Sequence, residues 1–458
     1  MLHGHHAQLL ALRSDTPHRP LVGGQCAWVA GWYTLVRVAL VSLGSRGDVQ
    51  PYVCLARALS DRGHEVRVVA PRNGEEMARL AGVPFRALPM DVHAMKLAEP
   101  AQRMLASGRI TTFTRWLQKE FKAFAPELRQ TLISETESVD VIVSHLLVAD
   151  HCETIATARQ IAHVPLYLTP FLPSRSYPSV GITQRGRWRQ LGPLNYPSHQ
   201  LLLEMIWRMS FAEISVLRQE LGVPPAQRSM LRTLARGEAP CLLGFSQTLF
   251  PTPKDWPSTA HPVGFLAPWP ELRARLGEQG MPSELDDWLK AGQPPVFLGF
   301  GSTPVLDGPR QLRTIRATLA DLGVRGILAA GWSGLDAVGD ETLFVIDEVD
   351  HQSLLPQCAA AVHHGGAGTT HASLAAGTPA LICSVFGDQP FWGAQCRRLG
   401  VGATIPFARL DARGLTEGLR AILDSKVAAR ARALAQRMGE EDGIGAAVTY
   451  LEQRMDVL

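Results

Sequence analysis

The chain of 458 residues holds seven cysteines but no Cys-x-x-Cys pair. The odd count argues against a closed disulfide framework, and no His/Cys cluster has zinc-ligand spacing. Cys54, Cys152, Cys241, Cys358, Cys383 and Cys396 mostly sit among apolar neighbours, as reduced core thiols do. A reducing cytoplasm is the expected location. The sequence also lacks a dense Lys/Arg block, and its formal charge of +3 is small for its length, so nucleic acid is not expected as a partner. The longest apolar region near the N-terminus, Cys26 to Leu43, is interrupted by Arg37. It therefore reads as neither a membrane span nor a cleavable signal, and membrane contact is expected to be peripheral at most. Charged residues are few, at 19% against 46% apolar, which takes the chain away from disorder and allows substantial cores.

What is present is an α/β alternation long enough for two domains. Residues 1–35 show no periodicity and read as an N-terminal extension. Arg outnumbers Lys and Ala is abundant, as in GC-rich coding, and we expect Val36, through a GTG codon, to be the native start. The first strand pattern runs from Val36 to Leu43. It is followed by the loop Gly44-Ser-Arg-Gly-Asp-Val-Gln50, a helix opened by Pro51, a stop at Gly63 and a strand at Glu65 to Ala70. Val139–Ser144 and Leu166–Thr169 read as further strands, with a helix at Asp150–Ile161 between them. Pro251 to Pro295 is rich in Pro and Gly, with a short helical stretch at Glu284–Lys290. A second α/β series begins at Val296. The expected division is a first domain over 36–255, a connection over 256–295, a second domain over 296–438, and a C-terminal helix within 439–458 that packs back on the first domain.

The most informative stretch is His363-His-Gly-Gly-Ala-Gly-Thr-Thr370, where a strand ends and a helix starts. Glycines let backbone amides approach a ligand closely, and a helix N-terminus adds unpaired N–H groups and a positive dipole end. The pattern suits a pyrophosphate: His364 can donate a hydrogen bond to a phosphate oxygen and Thr369 can add its hydroxyl. Downstream, Gly387-Asp-Gln-Pro-Phe-Trp392 places Asp388 and Gln389 at another strand-to-helix turn. One charged acceptor beside one amide suits neighbouring sugar hydroxyls. The plainer alternative is that either residue caps the helix.

These motifs, with Val349-Asp-His-Gln-Ser-Leu-Leu-Pro356, Gly44-Ser-Arg-Gly-Asp-Val-Gln-Pro51, Gly244-Phe-Ser246, Pro295-Val-Phe-Leu-Gly-Phe-Gly-Ser302 and Gly331-Trp332, resemble the family 1 glycosyltransferases. More narrowly, the chain resembles the branch with sterol glucosyltransferases and the enzymes that glycosylate glycopeptide antibiotics. The likeness covers most of the chain from Val36. It implies a GT-B fold, α/β, with two Rossmann-like doubly wound domains facing across a cleft, the donor bound mainly by the second and the acceptor by the first. It further implies that His364 and the amides of Gly366, Ala367, Gly368 and Thr369 hold the diphosphate, with Ser302 approaching from the opposite loop. Asp388 and Gln389 then contact the sugar, Val349 lies where backbone groups read the base with Trp332 beside it, and Ser45 and Arg46 lie near the diphosphate. Plant relatives carry a base-stacking Trp at the position of Glu348, so that stacking is absent here.

Glycosyl transfer requires a carboxylate or His on the acceptor side. Asp48, in the loop after the first strand, is the candidate base, and the resemblance supports it; the alternative is that Asp48 caps the next helix. His93, His145 and His151 are lesser candidates, and His64 reads as structural. No Asp-x-Asp occurs, so the metal-holding pair of other glycosyltransferases is missing, and neither metal nor cofactor is expected. The implied reaction is an inverting transfer of a hexose or deoxyhexose from a UDP- or dTDP-sugar donor to a hydroxyl or nitrogen of a hydrophobic small-molecule acceptor. Acceptor specificity is expected from Thr111–Leu132, where Phe113, Trp116, Leu117, Phe121 and Phe124 share a helical face, and from Thr169–Leu203. The rival readings are a sugar-nucleotide epimerase and an inactive activator of a partner glycosyltransferase.

Overall fold

The computed structural model describes residues 35–455 apart from 93, 94, 96–109, 181–190, 279, 302–306, 331–337, 348, 349 and 386, and apart from the side chains of 110–118 and 121. Among the described residues the strands form two all-parallel sheets. The first has seven strands in the order β3-β2-β1-β4-β5-β6-β7: β1 Arg37–Val41, β2 Glu65–Pro71, β3 Phe85–Leu88, β4 Val141–Ser144, β5 Ala162–Tyr167, β6 Cys241–Leu243 and β7 Ala260–Pro262. The second has six in the order β10-β9-β8-β11-β12-β13: β8 Val296–Gly299, β9 Gly326–Ala329, β10 Leu343–Ile346, β11 Ala360–His363, β12 Ala380–Ser384 and β13 Gly402–Pro406. The central strands are apolar at nearly every position and buried on both faces, as helices on both sides of a parallel sheet require.

Each sheet reverses its winding once. In the first, β1 pairs β4, with Val41 opposite Ser144; in the second, β8 pairs β11, with Gly299 opposite His363. Helices leaving such neighbouring strands go to opposite faces, which opens a crevice at the carboxyl ends where doubly wound sheets bind ligands. Asp48 and His145 follow the strands of the first crevice. Gly301 and His364 follow those of the second.

Local chemistry departs from the sequence reading in places. Helix α1 spans Arg46–Asp61 and holds Pro51 within it, so it starts a turn earlier than the proline suggests. Ser45 at the N-cap, with Asp48 three residues on, is the stronger start signal. Strand β5 ends at Tyr167, which leaves Thr169 in a loop, and β7 lies inside the stretch read as a connection. Helix α2, Ile110–Glu135, buries Ala125, Leu128 and Leu132 in the first domain, with Phe124 partly buried beside them; the side chains of Phe113, Trp116, Leu117 and Phe121 lie outside the described residues.

The halves share a packed seam. Helix α3, Ala367–Ala375, and α4, Gln389–Leu399, meet the first sheet through one apolar cluster that contains Tyr167, Leu243 and Phe245 together with Ile382, Phe391 and Trp392. Phe250 and Phe391 meet edge to face at 5.3 Å, as do Phe245 and Trp392 at 6.4 Å. His371 Nδ1 donates to Ala367 O at 2.7 Å, so its Nε2 accepts the Ser246 N–H across the seam at 3.1 Å. The last helix, α5 at Gly443–Met455, returns to α1: Ala447, Val448, Leu451 and Met455 join the core that holds Val53 and Leu59. Its buried Glu452 accepts two bonds from Arg62, at 2.9 and 2.8 Å. Among the described residues no helix is long and apolar enough to cross a membrane.

Candidate active site

On the acceptor side, Asp48 is the third residue of α1, and its Oδ2 accepts the Ser45 backbone N–H at 2.8 Å and the Ser45 hydroxyl at 3.3 Å. It does cap the helix, but one oxygen is enough for that. Oδ1 instead faces His145 Nε2 at 3.6 Å, beyond direct hydrogen-bond distance. His145 Nδ1 accepts the Leu147 N–H, so the ring proton sits on Nε2, the nitrogen that faces the carboxylate. Burial holds the His145 imidazole below its ordinary pKa and the Asp48 charge opposes that. The imidazole is thus a neutral ring that turns its N–H toward a partly exposed carboxylate. Of the other histidines, His151 is buried and pushed down to about 4 by burial and by Arg129, His64 pairs with Glu452, and His93 lies outside the described residues.

The donor-side loop is shaped around one imidazole. Gly365 has φ +91° and no room for a side chain, since a Cβ there would lie 2.4 Å from Ile382 Cγ2. A Cβ on Gly366 would meet His364 Nε2 at 2.7 Å, and one on Gly301 would meet His364 Cε1 at 3.0 Å. The two glycines therefore make the slot in which His364 sits. His363 Nδ1 accepts the Gly365 N–H at 3.1 Å and fixes the turn from inside the core; burial holds this ring neutral. The first helical bond, Thr370 N–H to Gly366 O at 3.0 Å, leaves the N–H groups of Ala367, Gly368 and Thr369 at the open end of α3. A Cβ on Gly368 would meet nothing within 4 Å, so the protein itself leaves that backbone approachable.

Asp388 and Gln389 sit where α4 begins. Gln389 is buried, and its Oε1 accepts the Val385 N–H at 2.8 Å. Asp388 Oδ2 accepts Trp392 Nε1 at 2.8 Å and, from the other domain, the Thr169 hydroxyl at 3.1 Å. Burial pushes the Asp388 carboxyl up to about 6; the Trp392 bond pulls it down, the Asp48 charge raises it, and the Thr169 bond lowers it again. Arg46 is paired with Glu278, which also receives Gln50 Nε2 at 3.3 Å. Ser302, Trp332 and Val349 lie outside the described residues. Among the described residues no group of three or more His, Cys, Asp and Glu could hold a metal ion.

Residues 38–145 match the glycosyltransferase family 28 N-terminal domain, and residues 328–446 match the erythromycin biosynthesis protein CIII-like C-terminal domain. O-mycaminosyltylonolide 6-deoxyallosyltransferase of Streptomyces fradiae is 32% identical over 426 residues, covering 91% of this chain and 97% of its own. A sterol 3-beta-glucosyltransferase of Arabidopsis thaliana is 31% identical over 90% of this chain, which spans 64% of that longer protein. Among solved structures, the glycotransferase of kitacinnamycin superposes with TM-score 0.66 at 19% identity, covering 92% of this chain and 99% of its own. The glycosyltransferase VinC in complex with dTDP does so with TM-score 0.61 at 18% identity, over 91% and 100%.

The chain belongs to the GT-B glycosyltransferases. In this glycosyltransferase three further residues, His145, Thr169 and Trp392, meet the candidate carboxylates. His145 is one histidine among several until the β1–β4 pairing sets it against Asp48. Thr169 reads as the end of a strand, and Trp392 reads as part of a motif whose indole has no assigned partner. Trp392 bonds Asp388 one helical turn away, whereas Thr169 meets Asp388 from a position far off in the chain, which no local pattern signals.

If Asp388 acts as a carboxylate acceptor, lowering the pH through about 6 removes the charge it offers. The expected kcat/KM for the sugar donor is flat above that value and falls about tenfold per pH unit below it. Initial rates between pH 5 and 8 at low donor concentration check this.

Proposed function

We propose that this glycosyltransferase moves a hexose or deoxyhexose from a UDP- or dTDP-sugar to a hydroxyl, or a nitrogen, of a hydrophobic small molecule of the natural-product or sterol kind, with inversion and without a metal ion. One observation carries the reading: a carboxylate facing a neutral imidazole on one domain and a glycine-rich helix N-terminus with a sugar-sized polar pair on the other belong to halves joined at that pair, where Asp388 accepts the Thr169 hydroxyl at 3.1 Å. In this scheme the acceptor O–H loses its proton to Asp48 as its oxygen attacks the anomeric carbon. The bond from that carbon to the diphosphate breaks on the far side, and the bond electrons leave with the nucleoside diphosphate. The N–H groups of Ala367 to Thr369 and the His364 imidazole take up that charge. His145 Nε2–H steadies Asp48 Oδ1, and Asp388 with Gln389 orients the sugar ring by its hydroxyls.

The relatives support a greasy acceptor by name, one being a sterol enzyme and another acting on a tylonolide. The VinC complex supports a thymidine diphosphate donor as one of the two choices. The test is transfer by chelator-treated enzyme, with UDP-glucose and dTDP-sugars against a panel of sterols, macrolides, aromatic polyketides and glycopeptides. The expected result is a product heavier by one sugar, at a rate within about twofold of untreated enzyme. Turnover that appears only on adding a divalent cation would remove the metal-free mechanism.

A further inference from the structure

Asp388 reaches across the seam. Its Oδ2 carries both hydrogen bonds, from Trp392 Nε1 at 2.8 Å within its own helix and from Thr169 Oγ1 at 3.1 Å on the opposite domain. Two donors on one oxygen fix the carboxylate plane and leave Oδ1 as the oxygen they do not occupy. Neither donor stands on a loose segment. Trp392 is fully buried and Thr169 is 7% exposed. The turn that carries Thr169 is tied by the Phe171 N–H to Thr169 O bond at 2.9 Å and by the Tyr177 hydroxyl, which donates to Leu172 O at 2.9 Å. Tyr177 itself packs against Phe250 and Phe391, rings of the two halves.

We propose that Thr169 is a positioning residue for donor recognition: its hydroxyl, supplied by the acceptor domain, holds the Asp388 carboxylate in the orientation that reads the transferred sugar. Donor selectivity then depends on the two domains being seated against each other, and the acceptor half, through Thr169, takes part in reading the sugar. The inference rests on the proposal that Asp388 contacts the sugar.

The isosteric Thr169→Val change removes the hydroxyl and keeps the volume. A hydrogen bond to a charged group is worth about 10- to 100-fold, so binding of UDP-glucose or dTDP-glucose, whichever the wild type prefers, is expected to weaken by about tenfold or more. Binding of UDP or dTDP alone is expected to stay within about twofold, because the nucleotide end is untouched. Thr169→Ser restores sugar-nucleotide affinity to within about threefold of wild type, and unchanged thermal melting shows that the seam is intact. Asp388→Asn separates the two layers of the argument. Loss of sugar-nucleotide affinity in Asp388→Asn with Thr169→Val unaffected overturns the positioning role and leaves the sugar-reading role standing. Unchanged affinity in Asp388→Asn overturns the sugar-reading role and the inference with it. An equal loss for nucleotide and sugar nucleotide in Thr169→Val also counts against it, since that pattern marks a general disturbance of the seam.

Discussion

Asp48→Asn is expected to lower kcat by about 10²- to 10⁴-fold, the usual cost of a lost general base, while donor binding and thermal melting stay close to wild type. The choice of asparagine matters because Asp48 caps a helix and is also the proposed base. Its Oδ2 makes the return bond of a capping box by accepting the Ser45 N–H, and an amide oxygen can continue to accept it. What the amide cannot do is take a proton. Asp48→Ala removes both functions and is expected to lose activity to a similar degree with some stability as well. Steady-state rates at saturating donor and acceptor, beside a melting curve, separate the two. Turnover of Asp48→Asn within a few-fold of wild type would return Asp48 to a purely capping role.

His364→Ala is the second large effect, with kcat/KM for the donor expected to fall about 10²- to 10³-fold, as when a preorganised donor at a developing negative charge is deleted. Affinity for the nucleoside diphosphate product should fall with it, because in the proposed scheme the same contact serves the leaving group before and after the bond breaks. The slot between Gly301 and Gly366 is built for a flat ring, and alanine enters it without a clash. Calorimetric binding of UDP or dTDP and rates at low donor concentration test the effect. Unchanged nucleotide affinity with unchanged rate would move the diphosphate contact away from this imidazole.

Much of this was legible in the residues. Apolar runs flanked by glycine and proline gave both Rossmann-like halves, because a strand buried on two faces has few other ways to be written. His364 to Thr369 and Asp388-Gln389 were readable because each is a local strand-to-helix turn whose chemistry shows within a few residues. The start of α1 was misplaced because Pro51 is a conspicuous helix opener, while Ser45 with Asp48 is a quieter signal that prevailed. What the sequence left out are meetings between distant segments. The Asp48–His145 pair follows from the parallel register of β1 with β4. The Thr169–Asp388 bond follows from the seating of one domain on the other. Arg46, expected beside the diphosphate, is engaged by Glu278, a carboxylate in a Gly-rich connection that no motif marks.

The central claim is that the two crevices serve one displacement at an anomeric carbon. The most direct measurement is the anomeric configuration of the product, read from the proton coupling of the new glycosidic bond by NMR after reaction with a nucleotide sugar of known configuration. The account predicts one glycoside with the configuration inverted relative to the donor, formed only when an acceptor is present. A product that keeps the donor's configuration, or an epimerised nucleotide sugar formed without any acceptor, would contradict it.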